Sequence, residues 1–224
     1  MANSEFIAPR CDATHELIHI DDHLLVVAKP AGLLSVPGRL PENQDCLITR
    51  VQQDYPEALI VHRLDMATSG LMVLARNKDT HRVLSLAFAQ RSVEKEYDAV
   101  VYGQPDNPQG KVDLPLACDW PNRPRQEVNF EYGKPAQTAY RLIEVTPEGN
   151  SLMRLMPITG RSHQLRVHMA AIGHPILGCE FYAHDAAKCQ ADRLMLHACH
   201  LQFAHPNGGK VMTFTLDSGF AAQR

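Results

Sequence analysis

The chain has 224 residues, 45% of them hydrophobic and 21% charged, with a formal net charge of −3 at pH 7. That length allows one large domain or two small ones around a real core, and the composition is that of an ordinary soluble globular protein. No apolar run reaches the roughly 18 residues of a membrane span, and the start lacks a basic-then-apolar leader. The six cysteines are scattered through a chain too large to need staples, so they read as reduced thiols in the cytoplasm.

Residues 1–14 read as a loose tail. Residues 16–20 and 24–28 predict two strands around an acidic turn at Asp21-Asp22. Lys29-Pro30-Ala31-Gly32 ends the second strand, because proline cannot extend a ladder and glycine allows a sharp turn. A loop over 33–44 leads to a short helix over 46–55, stopped by Pro56. Then comes the stretch His62-Arg63-Leu64-Asp65-Met66-Ala67-Thr68-Ser69-Gly70, followed by the apolar run Leu71-Met72-Val73-Leu74-Ala75. The run predicts a buried strand. A carboxylate on the loop before such a strand is held at the edge of a core, where catalytic groups tend to sit. On local pattern alone, the favoured reading is that Asp65 caps a turn and Arg63 pairs with it.

Residues 78–91 predict a helix with Val83, Leu84, Ala87 and Phe88 on one face, and 95–102 the next strand. The middle is loop-rich: 104–110 is a polar turn, and 114–124 holds Trp120 and three prolines. Residues 137–145 and 151–158 alternate like strands around a hairpin turn at 147–150. Thr159-Gly160-Arg161-Ser162 leads into a helix with a Leu165, Met169, Ile172 stripe, and Gly173 sits where a left-handed cap belongs. Residues 193–203 and 210–216 are closing strands. Strands and helices do not alternate regularly, which predicts an α+β fold with a mixed, mainly antiparallel sheet and flanking helices. No repeat, low-complexity tract or domain linker interrupts the chain.

Several chemistries lack their residues. No glycine-rich phosphate loop announces a nucleotide cofactor, and Ser69 and Ser162 lack a serine hydrolase's glycine-flanked elbow. Cys179, Cys189, His197, Cys199 and His200 match no zinc spacing, so they read as structural residues and no metal is expected. The net charge argues weakly against a polyanion partner, but its distribution argues the other way. Residues 149–179 contain no Asp or Glu while carrying Arg154, Arg161, Arg166, His163, His168 and His174. A local basic face can bind a polyanion on a mildly acidic protein; ordinary solvated arginines fit the same pattern.

His62-Arg-Leu-Asp65 with Thr68-Ser-Gly70, and Gly160-Arg-Ser-His-Gln-Leu-Arg-Val-His168-Met169, resemble the two most diagnostic stretches of the RluA family of RNA pseudouridine synthases. The resemblance extends to Asp22–Gly32, Lys95-Glu-Tyr97 and residues 193–198, in the family's order and over nearly the whole chain. Leu34-Ser-Val-Pro-Gly-Arg39 and Cys118–Pro124 are similar to the short, dual-specificity branch, which modifies 23S ribosomal RNA and transfer RNA and lacks an S4 RNA-binding domain. The resemblance implies a single catalytic domain over 15–224 with a central RNA-binding cleft. The implied activity is isomerisation of uridine in stem-loops, including the transfer RNA anticodon arm. No cofactor, membrane or protein partner is implied, and the expected state is a monomer.

The resemblance also assigns roles. Asp65 is the essential carboxylate, acting as nucleophile or proton acceptor. Arg166 is the cation that pairs with it, and Tyr97 stacks on the target uracil. The three are expected to converge, since a carboxylate in a water-poor pocket needs a cation to stay ionised, and a guanidinium fork holds it in one orientation. The target base must leave its stack, so base flipping is expected, with Arg63 entering the vacated space. Lys29, Arg39, Arg123, Arg125, Arg161 and His163 are candidates for phosphate or loop-base contacts, and Leu196 for packing under the uracil. Two other classes remain: an inactive RNA-binding module, which need not keep Asp65, and a glycosidase or nucleoside lyase, which would usually need a second placed carboxylate.

Overall fold

A computed structural model describes residues 6–221. In chain order come β1 (Glu16–Ile20), β2 (Leu24–Lys29), α1 (Leu47–Val51), β3 (Leu59–Ile60), β4 (Ser69–Ala75) and α2 (Lys78–Ala89). Then follow β5 (Glu94–Val101), β6 (Gln109–Asp113), β7 (Leu116–Cys118), β8 (Gln126–Val128), β9 (Gln137–Val145) and β10 (Ser151–Pro157). The last elements are α3 (Gln164–Ala171), α4 (Asp185–Lys188), β11 (Leu196–Ala204) and β12 (Val211–Thr215). The fold is α+β with a mainly antiparallel sheet. The chain divides into two compact units, Met1–Glu94 with Leu201–Leu216, and Lys95–His200 with Asp217–Arg224.

The first unit is built on β2 and β4, paired antiparallel from Leu24↔Ala75 to Lys29↔Gly70. Every residue of β4 is buried, as continuous apolar runs are when both faces of a strand are covered. Leu24, Val26, Leu71 and Val73 pack with Leu84 of α2 and with Leu201 and Phe203 of β11. Each such side chain contributes roughly 1.5–3 kcal/mol by leaving water. The α2 helix starts where Asn77 accepts the Thr80 N–H at 2.8 Å, the usual side-chain cap. The tail departs from expectation. Its residues 1–5 lie outside the described residues, but 6–14 are fastened rather than loose. Asn43 donates to the Phe6 carbonyl at 2.7 Å and accepts the Ala8 N–H at 2.8 Å, and Arg50 reaches the Ala13 carbonyl at 2.8 Å.

In the second unit the strand order is β5-β10-β9-β6. The β9–β10 hairpin forms over the predicted residues, closed by the Thr146 N–H to the Asn150 carbonyl at 2.8 Å. Two parts of the loop-rich middle are strands after all. Residues 109–113 pair with β9, and β7 and β8 form a separate two-stranded sheet. Three-residue strands among prolines carry no periodicity to read. Val167 of α3 packs with Leu116 and Ala136 beneath that small sheet. Gln164 to Met169 are all buried, so α3 is an internal helix rather than the amphipathic one its stripe suggested. Gly173 follows it with φ +88°, the left-handed conformation expected there.

Candidate active site

The Asp65 loop is held on both sides of the carboxylate. Before it, the Ser35 hydroxyl donates to the Leu64 carbonyl at 2.7 Å and accepts the Leu64 N–H at 3.1 Å. After it, the Met66 carbonyl accepts from the Gly32 N–H at 2.9 Å and from Lys29 Nζ at 3.0 Å. The Thr68 N–H closes the turn on the Asp65 carbonyl at 3.1 Å. Gly70 then enters β4 with φ +116°, a conformation that L side chains resist. Upstream, His62 stacks on Phe88 with ring centroids 4.3 Å apart, and its Nε2 accepts the Val73 N–H at 3.1 Å. Leu64 and Thr68 are buried and Asp65 is half-buried between them. The result is a rigid, backbone-clamped mount that presents one carboxylate.

Lys29 occupies a different place from the one expected. It is fully buried at the end of β2, and its ammonium donates to the carbonyls of Pro30, Leu33 and Met66 at 2.8, 2.8 and 3.0 Å. All three donors of an ammonium are thereby used. In this position it fastens the turn after β2 to the Asp65 loop and has no donor left for a phosphate. Burial lowers its pKa to about 7, opposed by the nearby Cys11 and Asp65. Arg63 and Arg39 are exposed in the same unit.

In the second unit, Arg166 is only 4% exposed. Its Nε donates to Cys179 Sγ at 3.4 Å, and its guanidinium lies 5.2 Å and 5.3 Å from the ring centroids of Phe181 and Tyr182. Cation–π contacts of this kind hold a guanidinium plane in one orientation. Tyr182 is fixed in turn. Its hydroxyl accepts the Gln126 N–H at 2.8 Å and pairs with His163 Nδ1 at 2.6 Å. His163 stands at the start of α3 in the left-handed region, φ 54°. The preceding loop is pinned by Gln164, whose Oε1 accepts from the Arg161 N–H at 3.0 Å and the Thr159 hydroxyl at 2.7 Å. Ser35 thus supports the Asp65 loop in the first unit, while Cys179, Phe181 and Tyr182 surround Arg166 and Gln164 pins the loop before α3 in the second. The supporting bonds of Ser35 and Tyr182 carry no sequence signal, because their partners are distant in the chain and include backbone groups.

Tyr97 lies half-buried on β5, opposite Leu155 of β10. Leu196 opens β11, 3% exposed. Arg123 and Arg125 are exposed, and Arg161 is partly so, with Nε on the Pro135 carbonyl at 3.2 Å. The basic stretch 149–179 is less basic in space than in sequence. Arg154 is paired with Glu96 and Asp98 of the adjacent strand. His168 is fully buried between Thr138 Oγ1 and the Leu114 carbonyl, and burial lowers its pKa below the ordinary value. All six cysteines are free thiols, and among the described residues no three His, Cys, Asp or Glu side chains are placed to hold a metal. No helix among those residues is long and apolar enough to cross a membrane.

A family described as RNA pseudouridylate synthase matches residues 23–171, a span that includes Asp65, Tyr97 and Arg166. The dual-specificity RNA pseudouridine synthase RluA of Escherichia coli (strain K12) is 54% identical over 204 residues, covering 91% of this chain and 93% of that one. The Yersinia pestis protein of the same name is also 54% identical, over 91% of this chain and 99% of its own. Among solved structures, human RNA Pseudouridylate Synthase Domain Containing 1 superposes with a TM-score of 0.77 at 25% identity, over 93% of this chain and 85% of its own. Human RNA Pseudouridylate Synthase Domain Containing 4 gives 0.72 at 28% identity, over 90% and 88%.

Proposed function

The chain belongs to the RNA pseudouridylate synthase family, and we propose from this that Asp65 is the carboxylate with which it isomerises uridine in RNA. The enzyme is an RNA pseudouridine synthase. Its substrates are stem-loops of 23S ribosomal RNA and transfer RNA, by analogy with the dual-specificity relatives. It works in the cytoplasm as a monomer, with residues 15–224 as one catalytic domain.

The reaction breaks the bond from C1′ to N1 of uracil, turns the base, and joins C1′ to C5. The C5 proton leaves to solvent and N1 gains one. No electrons enter or leave, so the chemistry asks for a placed carboxylate and a held base rather than for a redox group or donor. Asp65 supplies the carboxylate, either as nucleophile at C1′ or as proton acceptor. Arg166 supplies the cation that keeps it ionised in a dry site, and Tyr97 the flat face for the uracil. Arg63 fills the gap left by the flipped base. The observation that carries the reading is the clamp on the Asp65 loop: reciprocal bonds at Leu64 and two donors on Met66 fix one carboxylate between them. A turn cap needs no such support, whereas positioned catalysis depends on it.

The test is incubation of the protein with RNA carrying tritium at uridine C5. A synthase releases tritium to water and leaves the RNA chain and its bases intact. Free uracil would instead indicate a glycosidase, and neither product an inactive RNA binder; either result would overturn the reading.

A further inference from the structure

We propose that Trp120 and Arg123 form a stacking platform for an unpaired nucleobase of the substrate RNA other than the target uridine. This deepens the reading above and rests on RNA being the substrate. The segment between β7 and β8 is otherwise unexplained by the reaction. It forms a short 3₁₀ turn at Trp120–Asn122, and Trp120 is 67% exposed. The Arg123 guanidinium lies 4.9 Å from the centroid of the indole.

An exposed tryptophan on its own carries little meaning. Here the exposure is concentrated and the ring is held. Among the described residues, Phe6, Trp120, Phe130 and Tyr132 are the exposed large aromatic side chains, and the last three lie in the segments before and after β8. The turn bearing Trp120 is rigid. The Asp119 carboxylate accepts from the Asn122 side-chain amide at 2.9 and 3.0 Å, the Arg125 N–H bonds the Asn122 carbonyl at 3.1 Å, and the Asp119 N–H bonds the Arg125 carbonyl at 3.0 Å. The indole is therefore offered to solvent without the entropy cost of freezing a mobile loop.

The chemistry selects the occupant. An indole 67% exposed, with a guanidinium over its ring, suits another flat ring attached to a negative backbone. Arg125, exposed three residues from the helical turn, adds a second cation, with its guanidinium 5.7 Å from the Tyr182 ring centroid. The one acidic side chain of the loop, Asp119, is already engaged by Asn122. A buried protein interface would call for a deeper apolar surround than this two-residue stack on a polar turn. Duplex RNA offers no open base face, so the platform takes a base from a loop or bulge.

Trp120 is the only tryptophan of the chain, so its fluorescence reports this site alone. The probe is an RNA hairpin with unpaired uridines in its loop, compared with a fully paired duplex of the same composition. The wild-type protein should show indole quenching with the hairpin and not with the duplex. Trp120→Ala should bind the hairpin about ten-fold more weakly, with single-turnover tritium release at saturating RNA kept within about two-fold, since one stacked base contributes on that scale. Trp120→Phe should recover most of the affinity. Arg123→Gln, which keeps the fluorophore, should weaken binding about three-fold. Unchanged fluorescence on binding a hairpin that is converted, equal quenching by duplex, or Trp120→Ala binding within about two-fold of wild type would each overturn the platform. Those results leave the proposed reaction standing. Absence of tritium release by wild type on hairpins that do quench the indole would instead sink the reaction and leave the stacking intact.

Discussion

Ser35→Ala removes one oxygen from the mount of Asp65 and nothing else. The hydroxyl serves both backbone groups of Leu64, at 2.7 and 3.1 Å, in a place where Ser35 is 3% and Leu64 7% exposed. Water has little access there, so an N–H and a carbonyl both lose their partner. Each orphaned buried group costs about 1–3 kcal/mol, so the loss should be about 2–6 kcal/mol. At a slope of about 2 kcal/mol per molar urea, the unfolding midpoint of the first unit falls by about 1–3 M. Circular dichroism should follow it, because the single tryptophan lies in the other unit. Asp65 is the next residue, and a shift of about 1 Å in its carboxylate can cost roughly 10² in rate. Single-turnover tritium release should therefore fall by about 10–100-fold while hairpin affinity stays near wild type. A midpoint shift under about 0.3 M with unchanged turnover would refute the claim that this hydroxyl holds the loop.

Lys29→Met should also destabilise, by about 2–5 kcal/mol, since three carbonyls lose a charged donor. With the folded pKa at about 7 against an ordinary 10.5, the unfolded chain binds more protons between those values. Wild-type stability should accordingly gain on the variant as pH rises from 7 to 10, read from urea midpoints at both ends; a constant gap would contradict it. Asp21 joins the turns before β2 and after β11. Burial pushes its carboxyl up, but bonds from His19, the His23 and Leu24 amides and His205 outweigh this and hold it well below the usual range. A depressed carboxyl stabilises above its ordinary pKa of 3.8 and loses that contribution as pH falls below it. Asp21→Asn should be less stable than wild type at pH 7, and the difference should shrink by pH 3; equal midpoints at pH 7 would remove the role.

How much of this was legible depends on distance along the chain. The β2 and β4 runs, the β9–β10 hairpin and α2 announce themselves because periodicity and turn residues are local signals. The Asp65 loop stands out for the same reason, its charged and small residues abutting an apolar run. The clamp on that loop was not legible. Ser35 is 29 residues from Leu64 and Lys29 is 37 from Met66, and both act on backbone groups that sequence does not distinguish. Lys29, a candidate for a phosphate or loop-base contact, instead spends its three donors on backbone carbonyls that no sequence pattern marks. The basic stretch overstated its charge likewise. Arg154 is neutralised from a strand more than 50 residues away, by partners no charge count can reveal. Arg166 was singled out by motif, but its cage of Cys179, Phe181 and Tyr182 comes from a segment that first read as a failed metal site.

Asp65→Asn tests the central claim most directly. The change is nearly isosteric, so the clamped loop and its packing should persist, and loss of a negative charge should not weaken attraction to a polyanion. A carboxamide is a poor nucleophile and a very weak base. Single-turnover tritium release from C5-labelled hairpin RNA, with filter binding on the same RNA, should show turnover down by at least about 10³ and affinity at or slightly above wild type. If the variant binds normally and keeps more than about a tenth of wild-type turnover, Asp65 is a turn cap and the account of the site is wrong.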